Sequence, residues 1–118
     1  MAKRQGACKI KMSITVNIYY SGRNGNALEF AKEMEKSGIA DRIRAEEGNL
    51  RYEYFIPLNG SDTVLLIDSW ASQEALDIHH ASPMMGEIAL LREKFDLHMR
   101  VERFAPDKSE SGSEFIRK

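Results

Sequence analysis

Two β-strands joined by a turn are predicted for residues 50–70, whose sequence is LRYEYFIPLNGSDTVLLIDSW. The first strand, residues 50–58, is rich in Tyr, Phe and Ile, which favour extended backbone. Turn-forming residues occupy positions 59–62, and the second strand runs over residues 63–70. Its apolar run at 64–67 predicts a central strand covered on both faces, and the whole segment predicts an antiparallel hairpin. Alternation predicts one face of the first strand to carry Leu50, Tyr52, Tyr54 and Ile56.

A strand and a helix are predicted before this hairpin. Apolar and polar residues alternate over residues 14–20, a period of two that is typical of a strand. Asn26 is a predicted N-cap for the amphipathic helix that follows. Gly38 ends this helix, and a short second helical piece is predicted for residues 39–45.

A second helix and a last strand are predicted after the hairpin. Ser72 is a natural N-cap, and Pro83 predicts that the helix breaks near residues 81–82 and begins again. A fourth alternating segment follows at residues 97–102. The element order is therefore β-α-β-β-α-β, which predicts an α+β, ferredoxin-like fold with a four-stranded antiparallel sheet and both helices on one face.

Composition and charge exclude several classes of protein. The 17 Lys and Arg residues are balanced by 18 Asp and Glu residues, so the chain lacks the cationic field expected of a nucleic-acid-binding protein. The longest purely apolar run is residues 64–67, far below the roughly 20 residues of a membrane span. No secretory signal is recognisable, so we expect a cytoplasmic protein. Cys8 is the single cysteine and we interpret it as incidental.

The predicted organisation is one domain flanked by two polar segments. Residues 1–12 form a polar leader, residues 13–106 the domain, and residues 107–118 a polar tail. The sheet face without helices needs a cover, and a second copy of the chain would supply it, so we predict a homodimer. The apolar pair Phe115-Ile116 either adds an edge strand to the partner or belongs to a frayed tail.

Three short motifs occur in order on this pattern of elements. They are EGNLRY at residues 47–52, DSW at 68–70 and LDIHHASP at 76–83. Together they resemble the antibiotic biosynthesis monooxygenase family of dimeric α+β barrels, including its quinol monooxygenase branch. In that family an E-x-G precedes a Tyr, an acidic-x-Trp follows, and a Leu-x-x-His stands shortly before Ser/Thr-Pro. The resemblance covers about residues 14 to 105.

The resemblance implies a cofactor-independent monooxygenase that acts on a small electron-rich aromatic or quinol substrate. His79 is the candidate base, since histidine titrates near neutral pH and can accept a phenolic proton. Its alternative role is structural, capping the segment before Pro83 or bonding a strand carbonyl. Two positions depart from the family: Asp68 replaces the usual Glu, and Met84 stands where many relatives have a second His. A mechanism that needs both histidines is therefore not expected.

Further residues are candidates for the same site. Trp70 and Tyr52 would shape the pocket as part of the catalytic set, and Asn17 would orient oxygen or a substrate hydroxyl. The predicted substrate-binding residues are Tyr54, Asp68, Phe30, Met34 and Met84. Each has an alternative interpretation, which is core or interface packing for the apolar and aromatic residues and solvent exposure for Asn17.

Other functions remain open at this stage. A haem-degrading enzyme is disfavoured because a Trp replaces His79 in those relatives and their haem-ligating His lies near Ala89 of this chain. Isomerisation of a small phosphorylated signalling metabolite would need cationic contacts, for which Arg42, Arg44 and Arg103 are candidates. A non-catalytic dimeric ligand-binding module is the third alternative. No sequence signal indicates a metal, a flavin or a haem, so no cofactor is predicted.

Overall fold

The structure, a computed structural model, describes residues 12–107. Four strands pair antiparallel in the order β2-β3-β1-β4, with β1 and β3 at the centre. This order and the helices packed on the sheet confirm the predicted ferredoxin-like α+β fold. Within the described residues the elements are β1 (Ile14–Ser21), α1 (Asn26–Lys36), α2 (Ile39–Arg44), β2 (Asn49–Phe55), β3 (Thr63–Trp70), α3 (Gln73–His80), α4 (Met84–Lys94) and β4 (His98–Phe104).

The pairing register assigns each strand residue to one sheet face. Val16 lies opposite Asp68, and Asp68 lies opposite Tyr52, so these three side chains share the face that packs on the helices. The neighbouring pair Asn17 and Ile67 points to the other face, which we call the open face. The hydrophobic core therefore lies between one side of the sheet and the helices.

The open face is only partly covered in the single chain. Burial alternates strictly along β3, so Leu65 and Ile67 on the open face are half-buried, whereas their neighbours on the helix face are buried. The prediction that β3 is central is confirmed. The prediction that both of its faces are covered does not hold within one chain, because all helices of the described range pack on the other side.

The predicted alternation along β2 is wrong at its start. A register shift lies between Asn49 and Arg51, and Leu50 is 60% exposed instead of sharing the buried face with Tyr52. An extra residue at a bulge breaks the period of two, which alternation alone does not anticipate. The strand also ends at Phe55, before Ile56, which is exposed.

Helix caps follow the prediction at one helix and not at another. Ser72 caps α3 as expected, its hydroxyl accepting a hydrogen bond from the Ala75 amide at 3.1 Å. At α1 the N-cap is Gly25 and not Asn26. The Asp62 carboxylate, from the β2–β3 turn, accepts hydrogen bonds from the amides of Gly25 at 2.8 Å and Ala27 at 3.2 Å. A residue distant in sequence therefore does the capping.

The predicted break before Pro83 is confirmed, since α3 ends at His80 and α4 begins at Met84. No helix among residues 12–107 is long and apolar enough to cross a membrane. The domain boundaries near residues 12 and 107 stay predictions. The residues Cys8, Phe115 and Ile116 lie outside the described range.

Candidate active site

His79 lies in the last turn of α3 and is 3% exposed. Its Nδ1 lies 3.0 and 3.1 Å from the two carboxylate oxygens of Glu46. A carboxylate only accepts hydrogen bonds, so Nδ1 carries the proton and donates it. Nε2 has no hydrogen-bond partner within the described part of the chain. In the neutral imidazole, this arrangement leaves Nε2 as the nitrogen that can accept a proton.

A glycine lets the Glu46 loop approach α3 closely. Gly48 has a φ of +88°, and a Cβ placed on it would lie 2.5 Å from the Ala75 Cβ. A larger residue would push the loop away from the helix, and the left-handed backbone also favours glycine. Gly48 therefore brings Glu46 within hydrogen-bond distance of His79.

Trp70 supports His79 from the sheet side. The two rings stack with centroids 4.7 Å apart and planes inclined by 27°. Trp70 is fully buried and lies behind the histidine, so it does not line the cavity described below. The imidazole is thus held at its edge by Glu46 and at its face by Trp70.

A cavity of about 310 Å³, which we call the first cavity, lies between the helix face of the sheet and α3 and α4. Met99 and Val101 of β4, which form one wall, are 43% and 52% exposed, so the cavity opens along β4. Apolar side chains make up most of the lining. The polar and charged lining residues are Tyr20, Tyr52, Asp68, His79, His80, Arg92 and Arg103.

Asp68 is a buried carboxyl in this cavity, 5% exposed. Burial raises the pKa of Asp68 to about 7, although nearby donors on Trp70 and Asn49 oppose the shift. The Asn49 amide donates to it at 3.4 Å, while the indole N–H of Trp70 stays outside hydrogen-bond geometry. Asp68 therefore exchanges its proton near neutral pH.

The raised pKa of Asp68 predicts how stability depends on pH. Between the unfolded value near 3.8 and the folded value of about 7, the native state binds more protons, so stability falls as pH rises. The loss is complete above pH 7 and is on the order of a few kcal/mol. We expect Asp68→Asn to flatten this slope. Urea unfolding of both proteins at pH 5 and pH 8 measures it, and equal losses in both would assign the slope to other groups.

Two tyrosines form a hydrogen-bonded pair at the cavity. The hydroxyls of Tyr52 and Tyr54 are 2.9 Å apart, with Tyr52 lining the cavity and Tyr54 behind it. Burial raises the pKa of both phenols, and it raises the pKa of Tyr20 to about 12. These phenols therefore stay protonated at neutral pH and can donate hydrogen bonds.

Arg92 is a half-buried cation in the lining of the first cavity. Its Nε is buried and has no hydrogen-bond partner in the described part of the chain. Arg103 also lines the cavity and donates a hydrogen bond to the Gln73 side chain. Because Arg92 lines the cavity, its guanidinium group can pair with an anionic group bound there.

The structure brings some of the predicted site residues together. His79, Tyr52 and Asp68 line the first cavity, Trp70 stacks on His79, and Tyr54 bonds to Tyr52. His80, the neighbour of His79, is exposed and also lines this cavity.

Other predicted residues lie elsewhere. Phe30 and Met34 are fully buried in the core, and Met84 packs at its edge while its neighbour Met85 lines the cavity. Asn17 points to the open face, because Val16 and Ile18 on either side of it face the helices. Asn17 therefore does not line the first cavity, which His79 lines in the same chain.

The three arginines considered for a phosphorylated ligand lie in different parts of the molecule. Arg42 pairs with Glu87 at 2.9 Å, and Arg44 pairs with Glu35 at 2.5 Å, both outside the first cavity. Arg103 alone among the three reaches it.

Sequence reasoning missed Glu46 and Arg92. The E-x-G pattern points to Glu46, two residues before Gly48, but nothing local reveals its contact with His79. Arg92 shares a helix face with Met85 and Ile88, at i, i+3 and i+7 spacing. A charged residue does not fit the apolar pattern of that face, so periodicity alone does not indicate Arg92. No group of three or more His, Cys, Asp or Glu within residues 12–107 is arranged to hold a metal ion.

The chain belongs to the antibiotic biosynthesis monooxygenase family, whose sequence model matches residues 13–89. This match confirms the resemblance seen in the sequence motifs. No curated protein matches the chain at significant similarity.

Solved structures share the fold. One is a conserved protein of unknown function from Bacteroides thetaiotaomicron VPI-5482, with a TM-score of 0.71 and 17% identity over 81% of this chain and 99% of the other. A Deinococcus radiodurans protein, named as a candidate antibiotic biosynthesis monooxygenase, has a TM-score of 0.70 and 16% identity over 81% and 94%. SnoaB, a cofactor-independent oxygenase from Streptomyces nogalater, has a TM-score of 0.69 and 12% identity over 85% and 98%. At these identities the likeness concerns the fold alone.

Proposed function

We propose that this chain is a cofactor-independent monooxygenase that acts on a small, electron-rich aromatic or quinol substrate. The observation that carries the proposal is the buried His79, whose Nδ1 is engaged by Glu46 and whose ring lines a cavity of about 310 Å³. The family and the oxygenase among its structural neighbours support a monooxygenase-type role.

The proposed chemistry begins with proton transfer from a substrate phenol to Nε2 of His79. The phenolate then supplies electrons to dioxygen, and one oxygen atom bonds to a ring carbon. The other oxygen leaves as water with the hydrogens from the phenol and that carbon, which converts a phenol and O₂ into a quinone and H₂O. Arg92, which lines the first cavity, stabilises negative charge on the oxygen atoms through its guanidinium group. The phenols of Tyr20 and Tyr52 donate hydrogen bonds that orient the substrate.

Oxygen consumption tests the proposal directly. The purified protein is assayed with a panel of hydroquinones and dihydroxynaphthalenes, with EDTA and without flavin, haem or metal. We expect enzyme-dependent uptake above the autoxidation of each substrate, with one ¹⁸O atom from ¹⁸O₂ in the product. Absence of uptake over the whole panel would remove these substrates and favour the alternatives below.

A homodimer formed through the open face is part of the proposal. This face exposes Phe55 and Phe104, and the Oδ1 atom of Asn17 is buried there without a partner in the described part of the chain. A second copy would cover these aromatic rings. The two cavities of the dimer would then lie on its outer sides, under the helices.

Ile67 is the site for testing the dimer, because it sits at the centre of the open face between Asn17 and Glu53. We expect Ile67→Glu to convert the dimer to a monomer in light scattering with size-exclusion chromatography, since a charge would be buried at the interface. Leu58→Glu is the matched control, because Leu58 is fully exposed in the β2–β3 turn. An unchanged mass for Ile67→Glu would show that another surface pairs the chains or that the protein is monomeric.

One observation favours a second candidate function. Two arginines, Arg92 and Arg103, line the cavity, and such a pair suits a small phosphorylated metabolite that an isomerase would process. Saturable protection by phosphorylated sugars in thermal unfolding, without oxygen uptake, would favour this isomerase. A ligand-binding module would instead bind aromatic ligands without turning them over.

A further inference from the structure

A second cavity lies on the far side of the His79–Glu46 contact. It has a volume of about 420 Å³ and lies between the loop that precedes β2 and the first turns of α3. Its lining residues are Glu46, Glu47, Gly48, Ala71, Ser72, Glu74, Ala75 and Ile78. Ile78 is 66% exposed, so this second cavity is open to solvent.

Glu46 connects the two cavities. Glu46 is a lining residue of the second cavity, and its carboxylate accepts the hydrogen bond of His79, which lines the first. The Glu46 side chain is 20% exposed, whereas that of His79 is 4% exposed. The second cavity therefore offers water a route to Glu46 that does not pass through the first cavity.

We propose that Glu46 is a positioning residue that keeps the His79 proton on Nδ1, and that the second cavity is the port through which water solvates its carboxylate. The catalytic consequence rests on the proposed function, because the tautomer affects the reaction only if Nε2 acts as the base. Holding the ring in this tautomer gives a base that is ready before the substrate arrives.

A comparison with Asp68 shows what access of solvent contributes at Glu46. Asp68 lines the first cavity and not the second, and burial raises its pKa to about 7. A carboxyl group that carries its own proton has lost part of its capacity as an acceptor. Solvent on the outer side of Glu46 can hydrogen-bond to its side chain without admitting bulk water to the first cavity.

Nitrogen-15 NMR of the histidine rings in the full chain tests the tautomer without reference to activity. His79 signals are assigned by their loss in His79→Gln. We expect Nδ1 to carry the proton in the wild type and in Glu46→Gln, whose amide oxygen still accepts. Glu46→Ala should shift His79 toward protonation at Nε2. The matched control is Glu47→Ala, which removes a carboxylate from the second cavity but no partner of His79.

Rescue by formate tests the port. Formate at about 100 mM should restore the Nδ1-protonated signal of Glu46→Ala, because a small carboxylate can enter the second cavity. Adding Ala71→Phe, which fills that cavity, should abolish the rescue. An unchanged tautomer in Glu46→Ala would overturn the positioning role. Rescue that persists with Ala71→Phe would overturn the port.

Kinetics separates this inference from the proposed function. If the protein consumes oxygen as proposed, Glu46→Ala should lower kcat by up to about 10²-fold with little change in KM, the lower end of what a general base contributes. Formate should restore part of kcat. If the wild type consumes no oxygen, the proposed function fails while the NMR result still decides the role of Glu46.

Discussion

Replacing His79 with alanine is expected to lower enzyme-dependent oxygen uptake by about 10²–10⁴-fold, the usual contribution of a general base. Nδ1 is bound to Glu46, so Nε2 is the ring nitrogen left to accept the substrate proton. Alanine removes this acceptor. Tyr52 cannot replace it, because burial raises the pKa of its phenol and keeps it protonated.

The loss must be separated from misfolding, because His79→Ala also leaves Glu46 without its partner. His79→Gln is the second variant, since its amide N–H can still donate to Glu46 but the side chain is not a base. Circular dichroism should show folded protein for both. His80→Ala, at the cavity rim, is the positional control and should retain most of the uptake. Undiminished uptake in His79→Gln would retire His79 as the base.

The order of the elements could be predicted from the sequence because each depends on local chemistry. Alternation over residues 14–20, the cap at Ser72 and the ring of Pro83 each act within a few residues, and the structure has the strand, cap and break expected there. The predictions were wrong where the local structure depends on residues that are distant in sequence. Asp62 caps α1 from 35 residues away in sequence, and a bulge next to Leu50 breaks the alternation of β2.

The candidate site was less predictable for the same reason. The strand period and the family pattern placed Tyr52, Asp68 and His79 in one cavity. The contact between Glu46 and His79 joins residues 33 apart, and it depends on how closely the loop packs on α3. Asn17 lies on the predicted strand, but alternation alone does not indicate which face of the sheet carries the cavity.

Trp70→Ala is expected to lower the free energy of unfolding by about 3–5 kcal/mol, the range for deleting a large buried aromatic side chain. Trp70 is fully buried, belongs to the main hydrophobic cluster and stacks on His79. Alanine would leave a cavity under the imidazole and remove the surface that holds its plane. Because Trp70 is the single tryptophan, unfolding in urea is followed by circular dichroism instead of fluorescence.

Protein concentration is held fixed in these experiments, since the proposed dimerisation would add to the apparent stability. Leu58→Ala is the control, because Leu58 is fully exposed and its truncation should change stability by no more than about 0.5 kcal/mol. A cost below about 1 kcal/mol for Trp70→Ala would contradict the packing described here.

Trp70→Phe separates the orientation of His79 from the stability of the core. This variant keeps an apolar ring beneath His79 but removes the indole N–H near Asp68. If this variant stays folded and kcat falls while KM is kept, the indole orients the base as well as stabilising the core.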